Sequence, residues 1–157
     1  MTTRTRKVEK TTVTAQIERI RASAETMIAS EHAVIGAAAP GDVVRQGDLY
    51  LVCLDAEPNG EPAATKQLAP GTTQGSRHIA TGDVSVRTVD AQEMVRRINA
   101  LIPKADIPPE LVGPAVVCRS GVTITHPEHG DRSLPDGSSW ATVYQREFAE
   151  EVRRVQD

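Results

Sequence analysis

The chain has 157 residues, enough for one domain with its own apolar core, and its 39% hydrophobic and 25% charged side chains describe a globular body. Aromatic residues make up only 3% and the net charge is −3, which argues against a platform for single-stranded nucleic acid. No apolar run approaches the roughly 18 residues of a membrane span and no signal-like apolar segment opens the chain, so a cytoplasmic location is expected.

Residues 1–11 read as a flexible basic tail. Arg4, Arg6, Lys7 and Lys10 against Glu9 give it +3 and leave −6 for the remainder. Any contact with nucleic acid would run through those four side chains, whereas the acidic, aromatic-poor body argues against one. From residue 12 to about 30, Val13, Ile17, Ile20, Ala24, Met27 and Ile28 recur at spacings of three and four, predicting an amphipathic helix. His32 lies near its end, where an imidazole suits the last carbonyls. "GAAAPGD" then breaks the pattern, so residues 12–40 form a helix and linker ahead of a β-rich domain over 41–157.

Gly-Asp pairs at Gly41, Gly47 and Gly82 each precede an aliphatic or β-branched run and predict strands launched from turns. "QLAPGTTQGSRHIATG" is a loop between strands; no helix opens behind it, as a phosphate cradle would need. "TVDAQEMVRRINAL" predicts an inserted helix over about 90–101, with Asp90 and Glu93 as a capping box and Val89 and Met94 as a hydrophobic staple. Pro103 stops it.

The C-terminal third reads as strands. "LVGPAVVC" and "GVTIT" predict two, with Pro114 marking an edge or bulge. "HPEHG" predicts a hairpin loop, and "LPDG" a turn with Gly137 in the left-handed region. "VTIT", "DRSL" and "SSWATVYQ" would then form an antiparallel meander, followed by a short C-terminal helix in "REFAEEVRRVQD". The expected class is α+β: a mainly antiparallel sheet or partly closed barrel with an N-terminal amphipathic helix, an inserted helix and a short C-terminal helix.

His126 and His129 flank one tight loop with Glu128 between them. With His78 as a distant third imidazole they could ligate a divalent transition metal. The spacing lacks the facial register of two histidines on a helix, and surface imidazoles that stabilise a turn are the competing reading. Cys53 and Cys118 sit in apolar runs and read as buried, reduced thiols without zinc-site spacing. No nucleophile elbow, dinucleotide fingerprint or phosphate-binding loop motif is present.

From about Arg45 to Asp157 the chain resembles a group of bacterial and phage-type proteins without an established activity. The string "RQGDLYLV", "LAPGTTQGSRH", "LVGP", "THPEHGDRSLPDG" and "YQREFAEEVRRVQD" carries the resemblance, and "GSSW" departs from it. It implies a shared β-rich fold and draws attention to Arg77, His78, His126, His129, Gln145 and Arg146 as polar positions in loops or at strand ends. The leading functional expectation is a non-catalytic binding or assembly module, self-associating or part of a larger protein complex, without a cofactor. The alternative is a metal-dependent, cupin-like enzyme or metal-binding protein using His78, His126 and His129 with Glu128.

Overall fold

A computed structural model describes residues 36–69, 77–103 and 105–145. The predicted N-terminal helix, the basic tail, the C-terminal helix and Arg146 lie outside them. Seven strands form one open antiparallel sheet: β1 (Val43–Gln46), β2 (Leu49–Cys53), β3 (Glu61–Pro62), β4 (Ile79–Thr88), β5 (Val112–Thr125), β6 (Arg132–Leu134) and β7 (Ser139–Tyr144). The order is β1-β2-β7-β5-β4-β3, with β6 also on β5. One α-helix, α1 (Ala91–Leu101), and a 3-10 turn (Pro109–Leu111) stand between β4 and β5. The described residues are thus β-rich α+β, and none of their helices is long and apolar enough to cross a membrane.

Helix α1 forms where the capping signal places it. Asp90 keeps an extended backbone and its Oδ1 accepts the Glu93 N–H at 3.1 Å. Met94 and Ile98, four apart on one face, are buried in the common core, and burial of each contributes about 1.5–3 kcal/mol. The turn glycine Gly41 (φ +92°) lies so close to the end of α1 that an added Cβ would stand 3.3 Å from the Leu101 carbonyl.

Strands β2 and β7 are buried at every residue, so both faces of the sheet centre are covered. Around them pack Val44, Leu68, Ile107, Leu111 and Ile124, with Trp140 as the largest fully buried side chain. The Trp140 indole N–H donates to Ser138 Oγ at 2.7 Å, so its one polar atom is satisfied. Cys53 and Cys118 are buried free thiols.

Two expectations are corrected by the long β4–β5 pair. "LVGPAVVC" and "GVTIT" are not separate strands but one 14-residue strand, bent at Gly121 (φ +61°). Gly82-Asp83 does not launch a strand; it lies inside β4, where the register slips on both sides of Asp83. Gly82 (φ +92°) faces Gly121 across the pair, and a side chain there would run into the Gly121 carbonyl. Two glycines opposite one another let both strands bend together.

The bend also undoes the predicted meander. Strand β7 pairs with the N-terminal half of β5, from Val112 to Val117, and β6 with the C-terminal half, Val122 to Ile124. The two lie in line along one edge of β5. "LPDG" joins them as a jog at the bend: Gly137 (φ +76°) donates its N–H to the Cys118 carbonyl at 2.9 Å, and Asp136 Oδ1 accepts the Gly121 N–H at 2.9 Å. Pro114 marks an irregularity, since the register shifts between Val112 and Ala115 and the Pro114 carbonyl accepts the Thr142 hydroxyl.

Candidate functional site

The C-terminal end of β5 meets the end of β1 through side-chain bonds, and polar side chains gather at that place. Gln46, the last residue of β1, is fully buried. Its Nε2 donates to the carbonyls of Ile124 (2.9 Å) and Gly130 (3.0 Å). Both partners are acceptors, so the amide orientation is fixed, and Oε1 must be the atom 3.0 Å from His78 Nδ1. His78 therefore donates through Nδ1–H, which makes Nε2 its acceptor nitrogen while the ring is neutral.

His78 leads into β4 and is 1% exposed; His126 follows β5 and is 7% exposed. Their ring centroids lie 4.4 Å apart, and those of His126 and the exposed His129 lie 4.6 Å apart. The planes are tilted by 41° and 34°. His126 is thus the middle of a row of imidazoles running from the interior to solvent. Its Nδ1 accepts the backbone N–H of Glu128 at 3.0 Å, so the neutral ring carries its proton on Nε2.

The row rests on the β1–β2 turn. Gly47 takes φ +57°, and a Cβ there would stand 2.5 Å from Cδ2 and Nε2 of His129. Glycine is needed twice over, for its backbone and for the imidazole above it. Arg45 Nε donates to the Gly47 carbonyl at 2.8 Å while its guanidinium lies 5.9 Å from the Tyr50 ring centroid. Arg132 closes the seam from β6: Nε donates to the Arg45 carbonyl (3.1 Å), and Nη1 to the carbonyls of Gly130 (3.0 Å) and Asp131 (3.1 Å). Side chains, not a ladder of paired strands, tie β1 to the β5–β6 hairpin.

The imidazole of His129 is held below its ordinary range. Desolvation is the larger cause and neighbouring His126 the second, with Arg132 adding to them, against opposing attraction from Asp48 and Glu128. Gln145 N–H donates to the Asp48 carbonyl at 2.9 Å, which brings the end of β7 to the same turn. Of the residues singled out in the sequence, His78, His126, Glu128, His129 and Gln145 meet around this turn, with exposed Arg77 beside His78. Gln46 and Arg132 were not singled out, and Gly47 only as a strand-launching turn, although "RQGD" and "GDRSL" contain them.

The rings gather, as a metal site requires, but they sit in a row. A neutral His126 whose Nδ1 accepts an N–H offers a proton, not a lone pair, at Nε2. Among the described residues no group of three or more His, Cys, Asp or Glu side chains is placed to hold a metal ion.

Among the described residues, two of the cavities lie elsewhere. One, of about 590 Å³, opens beside Tyr144 and is lined by residues including Gln67, Leu68, Thr88, Val112 and Gly113. The Tyr144 hydroxyl donates to the Leu68 carbonyl at 2.8 Å, and burial pushes its phenol above the usual range. The other, of about 480 Å³, includes Cys53 and Cys118 in its wall. Burial pushes both thiols up to about 11, the opposite of what a nucleophilic cysteine needs. Comparison with known proteins adds no assignment: no family model, curated protein or solved structure matches the chain.

Proposed function

We propose that the domain is a non-catalytic binding or assembly module that self-associates, with the end of the sheet around the β1–β2 turn as its recognition surface. The observation that carries the reading is how the polar groups there are used. Gln46, His78 and Arg132 each commit polar atoms to bonds that tie one segment to another, and His126 accepts a bond within its own loop. That leaves a firmly held platform from which Arg77, Glu128 and His129 face solvent. Loops set on a rigid sheet and carrying both signs of charge suit recognition of a protein surface.

Sedimentation of the full chain over a wide concentration range tests this. The expected mass is a multiple of 16.9 kDa, reduced to the monomer by combining Arg77→Ala with His129→Ala. A mass fixed at 16.9 kDa throughout overturns self-association, and an assembly indifferent to both substitutions moves the interface elsewhere. In this reading the imidazoles are structural and not ligands. Elemental analysis of purified protein should then show substoichiometric metal, with melting unchanged by a chelator; one bound equivalent would replace this reading with the metal-binding one.

A further inference from the structure

We propose that Asn59–Gly60 is a self-modifying site: the Gly60 backbone nitrogen closes onto the Asn59 side-chain amide, and the isoaspartyl linkage that results loosens β3 from β4. The inference goes beyond the assembly reading, for β3 lies at the opposite end of the sheet order from β1.

Glycine stands at 60 because the fold needs it there. A Cβ would run into the Thr88 carbonyl, so only a bare backbone lets the chain enter β3 alongside the end of β4. The same bareness leaves the nitrogen after Asn59 unshielded by any side chain. Asn59 and Gly60 are both exposed, and among the described residues neither the Asn59 amide nor the Gly60 N–H enters a hydrogen bond. Comparable places in the chain are tied. Asp136–Gly137 sets a carboxyl beside a glycine nitrogen in the same way, but Asp136 Oδ1 accepts the Gly121 N–H and the Gly137 N–H donates to the Cys118 carbonyl, each at 2.9 Å. Asn99 lies inside α1, where the next N–H belongs to the helix ladder, and its Oδ1 accepts the Asp106 N–H at 3.1 Å.

The reaction needs only water. Gly60 N gives its proton to solvent and bonds to Asn59 Cγ; the Cγ–Nδ2 bond breaks, ammonia leaves, and a succinimide ring closes. Water then adds to one ring carbonyl, and the bond from that carbonyl to Gly60 N breaks. Opening at Cγ leaves an aspartate on an ordinary backbone. Opening at the Asn59 backbone carbonyl carries the chain through Cβ and Cγ, which lengthens it by a methylene and leaves a carboxylate as the side group. Both ends of the lengthened segment are held on β4. The Pro58 carbonyl accepts Arg87 Nη1 at 2.8 Å, and Glu61 pairs with Thr88. The added carbon must be taken up between those points, and β3, with 2 residues, is the shortest strand of the sheet among the described residues.

The test incubates the full chain in warm, mildly alkaline buffer, folded and in guanidinium chloride. Peptide mass spectrometry follows residues 59, 99 and 136, with isoaspartate identified by backbone fragmentation. Asn59 should convert in the folded chain at close to its unfolded rate. Asn99 and Asp136 should be slowed by folding at least about tenfold, the factor of one hydrogen bond that must break before attack. Asn59→Gln, which would have to close a larger ring, should stay intact. Loosening is read at the Ala63 amide, which donates to the Val86 carbonyl at 2.8 Å. Its exchange protection should fall about tenfold in the isoaspartyl fraction, the scale of one lost hydrogen bond. It should hold in fresh Asn59→Asp, which carries the charge without the longer backbone. Slowing of Asn59 by folding to the extent seen at Asp136, or a fully protected Ala63 amide in the isoaspartyl fraction, each overturns the proposal. Neither result bears on the mass measured by sedimentation.

Discussion

Gln46 shows what a single buried amide does in this fold. It makes three contacts with three segments: two carbonyls across the seam and the His78 ring. Gln46→Leu keeps the volume but removes two donors and one acceptor from a buried place, so urea unfolding should show a loss of about 1–3 kcal/mol. Gly47→Ala acts differently. The positive φ alone costs about 1–2 kcal/mol, and the new methyl, 2.5 Å from the His129 ring, adds a collision. A double-mutant cycle separates the two: His129→Ala should relieve the collision and leave the backbone cost. The histidines of the site were legible in the sequence because imidazoles beside turns invite attention. Gln46 and Arg132 were not, since their partners lie 78 and 87 residues away and nothing in either neighbourhood marks them.

The bent β4–β5 pair sets the shape of the sheet, and its two glycines are not equivalent. Both have positive φ, but a Cβ on Gly121 would meet nothing within 4 Å, whereas one on Gly82 would run into the opposite backbone. Gly121→Ala should therefore cost about the 1–2 kcal/mol of a left-handed residue. Gly82→Ala should lose a further 1–3 kcal/mol or so as β4 is pushed from β5. Thermal melts of the two variants test the order, and an equal loss would mean that the strands separate easily. A glycine in a strand-like run signals a turn or a bulge, and only its neighbour across the sheet decides which. That is why Gly82-Asp83 reads as a strand start and Gly121 as a boundary, although they form one bend. The helix needed no such partner. Asp90, Glu93, Met94 and Ile98 are all local, and α1 begins and ends within a residue or so of the expected span.

For the molecule as a whole, the titrating groups define a window of stability. On the acid side, His129 has a folded-state value below the ordinary imidazole range, so the unfolded chain binds its proton first. Stability from this residue is present above about pH 6.5 and is lost as pH falls through the lower folded value. On the alkaline side the thiols set the limit. Cys53 and Cys118 are pushed to about 11 by burial, against about 8.5 for an unfolded cysteine. Between those values the unfolded chain gives up protons that the folded chain keeps, so stability falls as pH rises. Melting temperature plotted against pH should therefore form a plateau from near neutrality to about pH 8.5, with shoulders of separate origin. Cys53→Val and Cys118→Val keep an apolar side chain of similar size in each place. Each should flatten the alkaline shoulder while leaving the acid one, and His129→Asn should do the reverse. An alkaline loss that survives both cysteine replacements would assign it to Tyr144, whose phenol is also raised by burial. Tyr144→Phe would then remove it, together with the bond to the Leu68 carbonyl.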